Sequence, residues 1–156
     1  MMNIRPAEKR DIKALLELLS DVLEIHHSIR PDIFKSGATK YSESELQTII
    51  NDAKTPVFVA EIDTRVVGYC FCVIKEQEEN AILKYRKDLY IDDLCIDKKM
   101  RGNGVGKALY LYAEGYAKQI GCQAVTLNVW GGNDGAISFY EKLGLTPRKT
   151  YLEKKI

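Results

Sequence analysis

Residues 89–106 read Leu89-Tyr90-Ile91-Asp92-Asp93-Leu94-Cys95-Ile96-Asp97-Lys98-Lys99-Met100-Arg101-Gly102-Asn103-Gly104-Val105-Gly106. An apolar strand ends in a charged turn, and a glycine-rich loop then leads into a helix. Three glycines within five positions leave backbone N–H groups uncovered at the positive end of the helix dipole. That arrangement binds phosphate oxygens, so the stretch predicts a phosphorylated cofactor. The plain alternative is a turn that merely joins strand to helix. Three glycines without a ligand would, however, be an entropic cost with no return.

Near misses narrow the cofactor. A Walker-type loop needs Gly where Arg101 stands and Ser or Thr where Ala108 stands, so magnesium would lack its hydroxyl ligand. A dinucleotide fingerprint needs its third Gly at the position of Lys107. Both nucleotide folds usually place the loop after the first strand, whereas here it falls two-thirds of the way along the chain.

Outward from this stretch, residues 3–5 read as a first strand. Ile12, Leu15, Leu16, Leu19, Val22, Leu23 and His26 then share one helical face, and Pro31 disfavours helical geometry at Arg30. Residues 42–53 read as a second helix opened by a Ser42/Glu45 capping box, which explains both residues without chemistry. Strands at 56–62 and 66–74 join at Asp63-Thr64-Arg65 as a hairpin, and 75–88 reads as a charged, mobile connection. The strand at 89–96 is followed by a helix at 105–120 with Val105, Leu109, Tyr112, Tyr116 and Ile120 inward. A strand at 124–129, a last helix between Asn133 and Gly144 and a closing strand at 150–155 complete the pattern. Without repeats, low-complexity segments or linkers, residues 1–156 form one domain with strands and helices mixed, a three-layer α/β arrangement around a mixed sheet.

Composition sets the outer limits. A chain of 156 residues, 46% hydrophobic, is long enough for a substantial core. Its 23 basic and 22 acidic residues give a net charge of +1, with no electrostatic footprint for nucleic acid or an anionic membrane. No apolar run approaches the roughly twenty residues that span a bilayer. The opening residues lack the apolar core of a signal peptide, so a cytoplasmic location is expected. Cys70 and Cys72 sit two apart in a strand and point to one face as small hydrophobes. With no Cys-x-x-Cys pair and only His26 and His27 as further soft ligands, no metal is expected. Cys95 as a nucleophile would need a basic partner, and no histidine is adjacent in sequence.

Arg101-x-x-Gly104-x-Gly106 resembles the pyrophosphate loop of the GCN5-related N-acetyltransferases, and Asn133-Asp134-Gly135-Ala136-Ile137-Ser138-Phe139-Tyr140-Glu141-Lys142-Leu143-Gly144 resembles a second segment of that family. The acidic pair before the loop is closest to the spermidine/spermine acetyltransferase-like branch. The resemblance implies a single-domain fold with a mixed sheet of about six to seven strands flanked by about four helices. It also implies transfer of acetyl from acetyl-CoA to a primary amine, of a small molecule or a peptide, by direct attack in a ternary complex. Another acyl-CoA on the same scaffold, a non-catalytic acyl-CoA sensor or interaction module and, more distantly, a nucleotide-binding regulatory module are the other readings. A homodimer follows only from family habit.

Residue by residue, the resemblance assigns cofactor binding to the backbone of Leu94, Cys95 and Ile96, to Arg101, Gly102, Asn103, Gly104, Val105, Gly106 and Lys107, and to Asn133, Ala136 and Tyr140. Tyr140 matches the tyrosine placed near the CoA sulfur; a phenol with an unperturbed pKa of about 10 suits protonation of a departing thiolate. Its helical spacing with Ile137 and Leu143 equally suits core packing. Asp92 occupies the position of an acceptor-side Glu and is the candidate base. Consecutive strand residues face opposite ways, so Asp92 and Asp93 cannot act together without a bulge. His26 and His27 stand where an acceptor pocket forms or where a helix end is solvated.

Overall fold

The computed structural model describes residues 1–156. Five strands, β1 (Met2–Pro6), β2 (Val57–Ile62), β3 (Arg65–Gln77), β4 (Arg86–Ile96) and β5 (Ala124–Leu127), form one sheet in the order β1-β2-β3-β4-β5. Neighbours run antiparallel except β4 and β5, which are parallel. A parallel pair needs a crossover, and α3 (Val105–Gln119) supplies it. With α4 (Asp134–Lys142) it covers one face, while α1 (Ile12–Ile29) and α2 (Glu43–Asn51) cover the other. No helix is long and apolar enough to cross a membrane.

Two apolar cores follow from the alternation of strand side chains. Cys70, Cys72, Leu89 and Ile91 pack against Val105, Leu109, Tyr110, Ala113 and Ala117 of α3. On the opposite face Val57, Val59, Tyr69 and Phe71 pack against Ile12, Leu15, Leu18, Leu19 and Leu46. Cys70 and Cys72 share a face as their spacing requires, with their sulfurs 3.6 Å apart. The Ser42/Glu45 capping box opens α2, with Glu45 N–H donating to Ser42 Oγ at 3.1 Å and Ser42 N–H donating to Glu45 Oε2 at 2.7 Å. Gly144, at φ 91°, ends the α4 region in the left-handed conformation that Gly adopts without strain.

β4 carries the feature on which the site depends. Ile91 pairs with Cys72 and Asp93 with Phe71, so Asp92 is an extra residue, a β-bulge. The alternation changes phase there. Leu89 and Ile91 face α3 before the bulge, whereas Leu94 and Ile96 do so after it and Cys95 joins the α1 core.

Several expectations are corrected. The sheet has five strands rather than six or seven, because the closing strand expected at 150–155 forms no backbone ladder and those residues are exposed. The connection expected at 75–88 is shorter, residues 78–85: β3 runs to Gln77 and β4 starts at Arg86, since Lys75 pairs with Asp88 and Gln77 with Arg86 despite their charge. On α3, Tyr112 and Tyr116 each meet the buried Phe58 ring edge-on, at 5.0 and 5.2 Å, while keeping one side toward solvent; the small Ala113 and Ala117, which are fully buried, let the helix sit close to the sheet.

β3 approaches α3 and β4 most closely at Gly68. A Cβ there would lie 2.9 Å from Ile96 Cδ1, 3.0 Å from the Cys95 carbonyl oxygen and 3.1 Å from Leu109 Cδ1. Gly68→Ala is therefore expected to destabilise the fold by about 1–3 kcal/mol, the usual cost of overpacking. Urea denaturation of both proteins checks this; equal midpoints would show that the β3–β4–α3 contact has slack.

Candidate active site

Residues 101–107 form a turn whose geometry suits an anion. Gly102 at φ 80° and Gly104 at φ 77° bend the chain so that α3 begins at Val105. None of the backbone N–H groups from Arg101 to Lys107 meets an acceptor within the chain; the first to do so is Ala108, which donates to the Gly104 carbonyl at 3.0 Å. Asn103 holds the turn by donating to the carbonyls of Met100 and Arg101 at 3.2 and 3.4 Å. No atom lies within 4 Å of the Cβ position of Gly102 or Gly104, so the backbone there is open to approach. Gly106 instead faces Phe139, whose Cζ would lie 3.3 Å from an added Cβ; this contact sets α4 against the first turn of α3. Val105 is buried, and Arg101 and Lys107 are exposed at the rim.

The sheet opens beside this turn. β4 and β5 pair from Asp88↔Ala124 to Ile91↔Leu127 and no further. Past the bulge, Leu94, Cys95 and Ile96 pair only with β3, leaving their other edge free to hydrogen-bond a guest. Asn133 caps α4 by accepting from Ala136 N–H at 3.3 Å. Tyr140 from that helix packs on the α3-side core, its ring 6.5 Å from that of Tyr110. Burial, with Cys70 and Asp93 next in effect, holds its pKa above that of an ordinary phenol, so it stays protonated at neutral pH. Cys95 lies in the α1-side core, 3.8 Å from the Leu18 carbonyl oxygen, with burial pushing its pKa up to about 12. It is a neutral thiol there and no nucleophile.

The two carboxylates separate as the bulge dictates. Asp92 is partly exposed and accepts from Lys40 Nζ at 3.0 Å. Burial opposes the Lys40 ammonium, but the hydrogen bond and charge of Asp92 outweigh it and the pKa is raised. Asp93 turns toward α1, where the wholly buried Tyr69 donates to its Oδ2 at 2.7 Å. Burial lifts the Asp93 carboxyl above the usual range, against the opposing pull of Tyr69, Lys40 and His26.

His26 and His27 have different surroundings. The Phe34 carbonyl accepts from Nδ1 of His27 at 2.7 Å, which fixes that tautomer and ties the end of α1 to the following loop. His26 packs against the Phe34 ring at 5.0 Å, and Phe34 meets Trp130 edge-on at 5.1 Å. His26 thus belongs to the wall near Asp93, while His27 is a structural tie. Sequence reading missed Lys40, Tyr69, Phe34 and Trp130. Lys40 and Asp92 are 52 positions apart and no local pattern joins them. The face of Tyr69 was legible from its alternation with Cys70 and Cys72, but its partner was not.

With this geometry in view, residues 19–145 match the acetyltransferase (GNAT) family, and the chain belongs to that family. An uncharacterized N-acetyltransferase of Methanocaldococcus jannaschii is 34% identical over 92 residues, 59% of this chain but only 39% of that protein's length. The glucosamine 6-phosphate N-acetyltransferase of Trypanosoma brucei brucei is 28% identical over 148 residues, covering 92% of this chain and 88% of the relative. Among solved structures, a mutant of the BH1408 protein from Bacillus halodurans superposes with a TM-score of 0.95 at 29% identity, covering 99% of each chain. The fold is the single-domain α/β fold of that family.

Asp93 gives a stability test. Its carboxyl pKa is higher folded than unfolded, so its contribution is full in acid, below the unfolded value, and is lost as pH rises through the folded one. Asn mimics the protonated acid and keeps an acceptor for Tyr69. Asp93→Asn is expected to melt above the parent at neutral pH, with the gap shrinking as pH falls through the carboxyl range. Melting curves from about pH 7 to about pH 4 check it; a gap independent of pH would mean that Asp93 carries no burial penalty.

Proposed function

We propose that this protein transfers the acetyl group of acetyl-CoA to a primary amine, of a small molecule or a peptide, by direct attack within a ternary complex. The observation that carries this reading is the run of unengaged N–H groups from Arg101 to Lys107 at the start of α3, beside the unpaired edge of β4. The turn suits a pyrophosphate. The free edge at Leu94, Cys95 and Ile96 suits the amides of the pantetheine arm, and Asn133 and Ala136 frame the far side. The thioester then comes to lie between the Asp92 bulge and Tyr140.

In this reading the acceptor amine replaces Lys40 on Asp92 and gives up a proton to it. Its lone pair forms a bond to the thioester carbon, the carbon–sulfur bond breaks as the tetrahedral intermediate collapses, Tyr140 protonates the departing thiolate, and the excess proton on the attacking nitrogen restores the Tyr140 phenol as the amide forms. Asp93 is the second candidate for the proton, because its raised pKa lies closer to neutral than that of an ordinary carboxylate. His26, Phe34 and Trp130 would form the aromatic wall of the acceptor pocket. Similarity to the glucosamine 6-phosphate enzyme supports an amino-group acceptor. The competing reading is a CoA-binding sensor without turnover, and release of free thiol with a panel of amines separates the two. No nucleic acid or membrane enters this function, and a cytoplasmic setting suits it.

Two variants test the assignments. Gly104→Val is expected to abolish acetyl-CoA binding by calorimetry while the protein stays folded. The reasons are that φ 77° strains any residue with a side chain, by about 1–2 kcal/mol, and that the new side chain fills the space a phosphate needs. Unchanged affinity in a folded variant would place the phosphate site elsewhere.

Tyr140→Phe keeps the ring and removes the hydroxyl. It is expected to preserve cofactor affinity and lower turnover by roughly 10²–10⁴-fold, the range for one general acid. A large fall in melting temperature with little change in rate would instead make the phenol a structural hydrogen-bonding group.

A further inference from the structure

The loop between α1 and α2 reaches back over the bulge of β4. Tyr41 stacks on Phe71 at 6.0 Å, and Phe71 is the β3 partner of Asp93. Ser42 is fixed next to it as the cap of α2. On the other side, Glu24 of α1 accepts from Gly37 N–H at 2.7 Å and from Ser36 Oγ at 3.2 Å. Lys40 stands between these anchors, which deliver its side chain to the bulge with Nζ 3.0 Å from Asp92 Oδ2.

That ammonium holds the place that the acetyl-transfer reading gives to the acceptor. Asp92 is the proposed base, and Lys40 is the amine already on it. No other lysine pairs with a carboxylate of the cleft: Lys118 meets Glu114, Lys155 meets Asp32, and the Lys75 ammonium lies over the Tyr90 ring at 3.8 Å. Lys40 arrives with a loop that packs on the α1-side core through Tyr41, whereas Tyr140 packs on the α3-side core. An acyl carbon between them would meet an amine on one side and an acid on the other. Charge links the two sides through Asp93. Burial raises its carboxyl, with Tyr69 and then the Lys40 ammonium opposing. Burial, then Cys70 and Asp93, raise the Tyr140 phenol. The Lys40 side chain keeps 43% of its exposure, so water competes for the ion pair and the amine is free to move. A tethered amine also needs no separate binding step, which raises its effective concentration beside a thioester.

We propose that Lys40 is a self-acetylation site: when no external amine is present, the protein transfers one acetyl group from acetyl-CoA to Lys40 Nζ of the same molecule. The inference rests on the acetyl-transfer reading above and adds an acceptor within the chain. The Lys40 ammonium gives one proton to Asp92, and its freed lone pair forms the bond to the thioester carbon. The carbon–sulfur bond breaks, the thiolate takes the Tyr140 proton, and the second proton of the attacking nitrogen restores the phenol. One ammonium and one thioester are consumed; one neutral amide, one CoA thiol and the proton that Asp92 passes to solvent are formed. The step occurs once per molecule, because an amide nitrogen is no longer a nucleophile. It also takes the resident cation off Asp92 and leaves that carboxylate open to a cationic acceptor.

The test incubates the full chain with acetyl-CoA alone, follows its intact mass and locates the modified residue by peptide sequencing. The parent is expected to gain one acetyl group, on Lys40, ahead of every other lysine and at a rate per molecule independent of protein concentration. Lys40→Arg keeps a cation on Asp92 and is expected to gain none on that timescale. Asp92→Asn is expected to slow the labelling of Lys40 by roughly 10²–10⁴-fold, the range for one general base. Free-thiol release with the amine panel, run alongside, separates this proposal from the reading it rests on. Release with an amine while Lys40 stays unmodified overturns self-acetylation and leaves acetyl transfer standing, whereas neither release nor modification overturns both. Modification of Lys40 without turnover of any amine in the panel upholds the proposal. Labelling that quickens with protein concentration is transfer between copies, and labelling that Asp92→Asn does not slow is unassisted reaction with the thioester; either overturns it.

Discussion

One extra residue in β4 governs the rest of the molecule. Before Asp92 the odd-numbered Leu89 and Ile91 face α3; after it the even-numbered Leu94 and Ile96 do, and the odd-numbered Cys95 faces α1, because a bulge advances the period-two pattern by one position. That change of phase is what turns Asp93 and Cys95 toward α1. It also ends the pairing with β5 at Ile91, so the parallel strands part where the backbone of Leu94, Cys95 and Ile96 becomes available. A regular strand would have sent Asp93 toward α3, into an apolar core with no Tyr69 to meet it. The bulge and the partition of the two carboxylates are one structural fact.

The turn at 101–107 depends on that geometry in a second way. A helix N-terminus is an anion site only if its donors point into accessible space. β4 delivers the chain to the turn at the open end of the cleft, and the left-handed Gly102 and Gly104 keep side chains off the approach. Gly106 differs from its neighbours: it is small because Phe139 rests on it, which ties α4 and hence Tyr140 to the same turn. The loop thus positions a protein side chain as well as offering donors to a ligand.

Local physics made much of this legible from the sequence. Capping boxes, helical faces and the glycine pattern involve residues a few positions apart, and the α2 cap, the α4 cap and the shared face of Cys70 and Cys72 lie where spacing put them. What escaped was set at long range. The tyrosine stripe of α3 suggested a core face, and Tyr112 and Tyr116 do pack on Phe58, but the closest contact with the sheet is made by the smaller Ala113 and Ala117. The charged run at 75–88 read as loop, yet cross-strand pairing carried the strands three residues into each end of it. The closing strand had the right residues and no partner within the chain. A strand is defined by a neighbour, and the sequence of one chain does not say where that neighbour comes from.

In the proposed reaction, charge balance at Asp92 bears on how an amine would enter. Lys40 and Asp92 neutralise each other, and their side chains retain 43% and 32% of their exposure. A pair that accessible contributes about 0.2–1 kcal/mol, since water competes for both partners. Displacing Lys40 with another ammonium therefore costs little, because Asp92 keeps a cation and Lys40 returns to solvent. Asp93 is the opposite case: half-buried and hydrogen-bonded by the wholly buried Tyr69, it cannot trade partners without leaving that phenol unpaired. The adjacent carboxylates thus differ on physical grounds: Asp92 shares an accessible ion pair whose cation can exchange, whereas Asp93 is tied to a buried phenol.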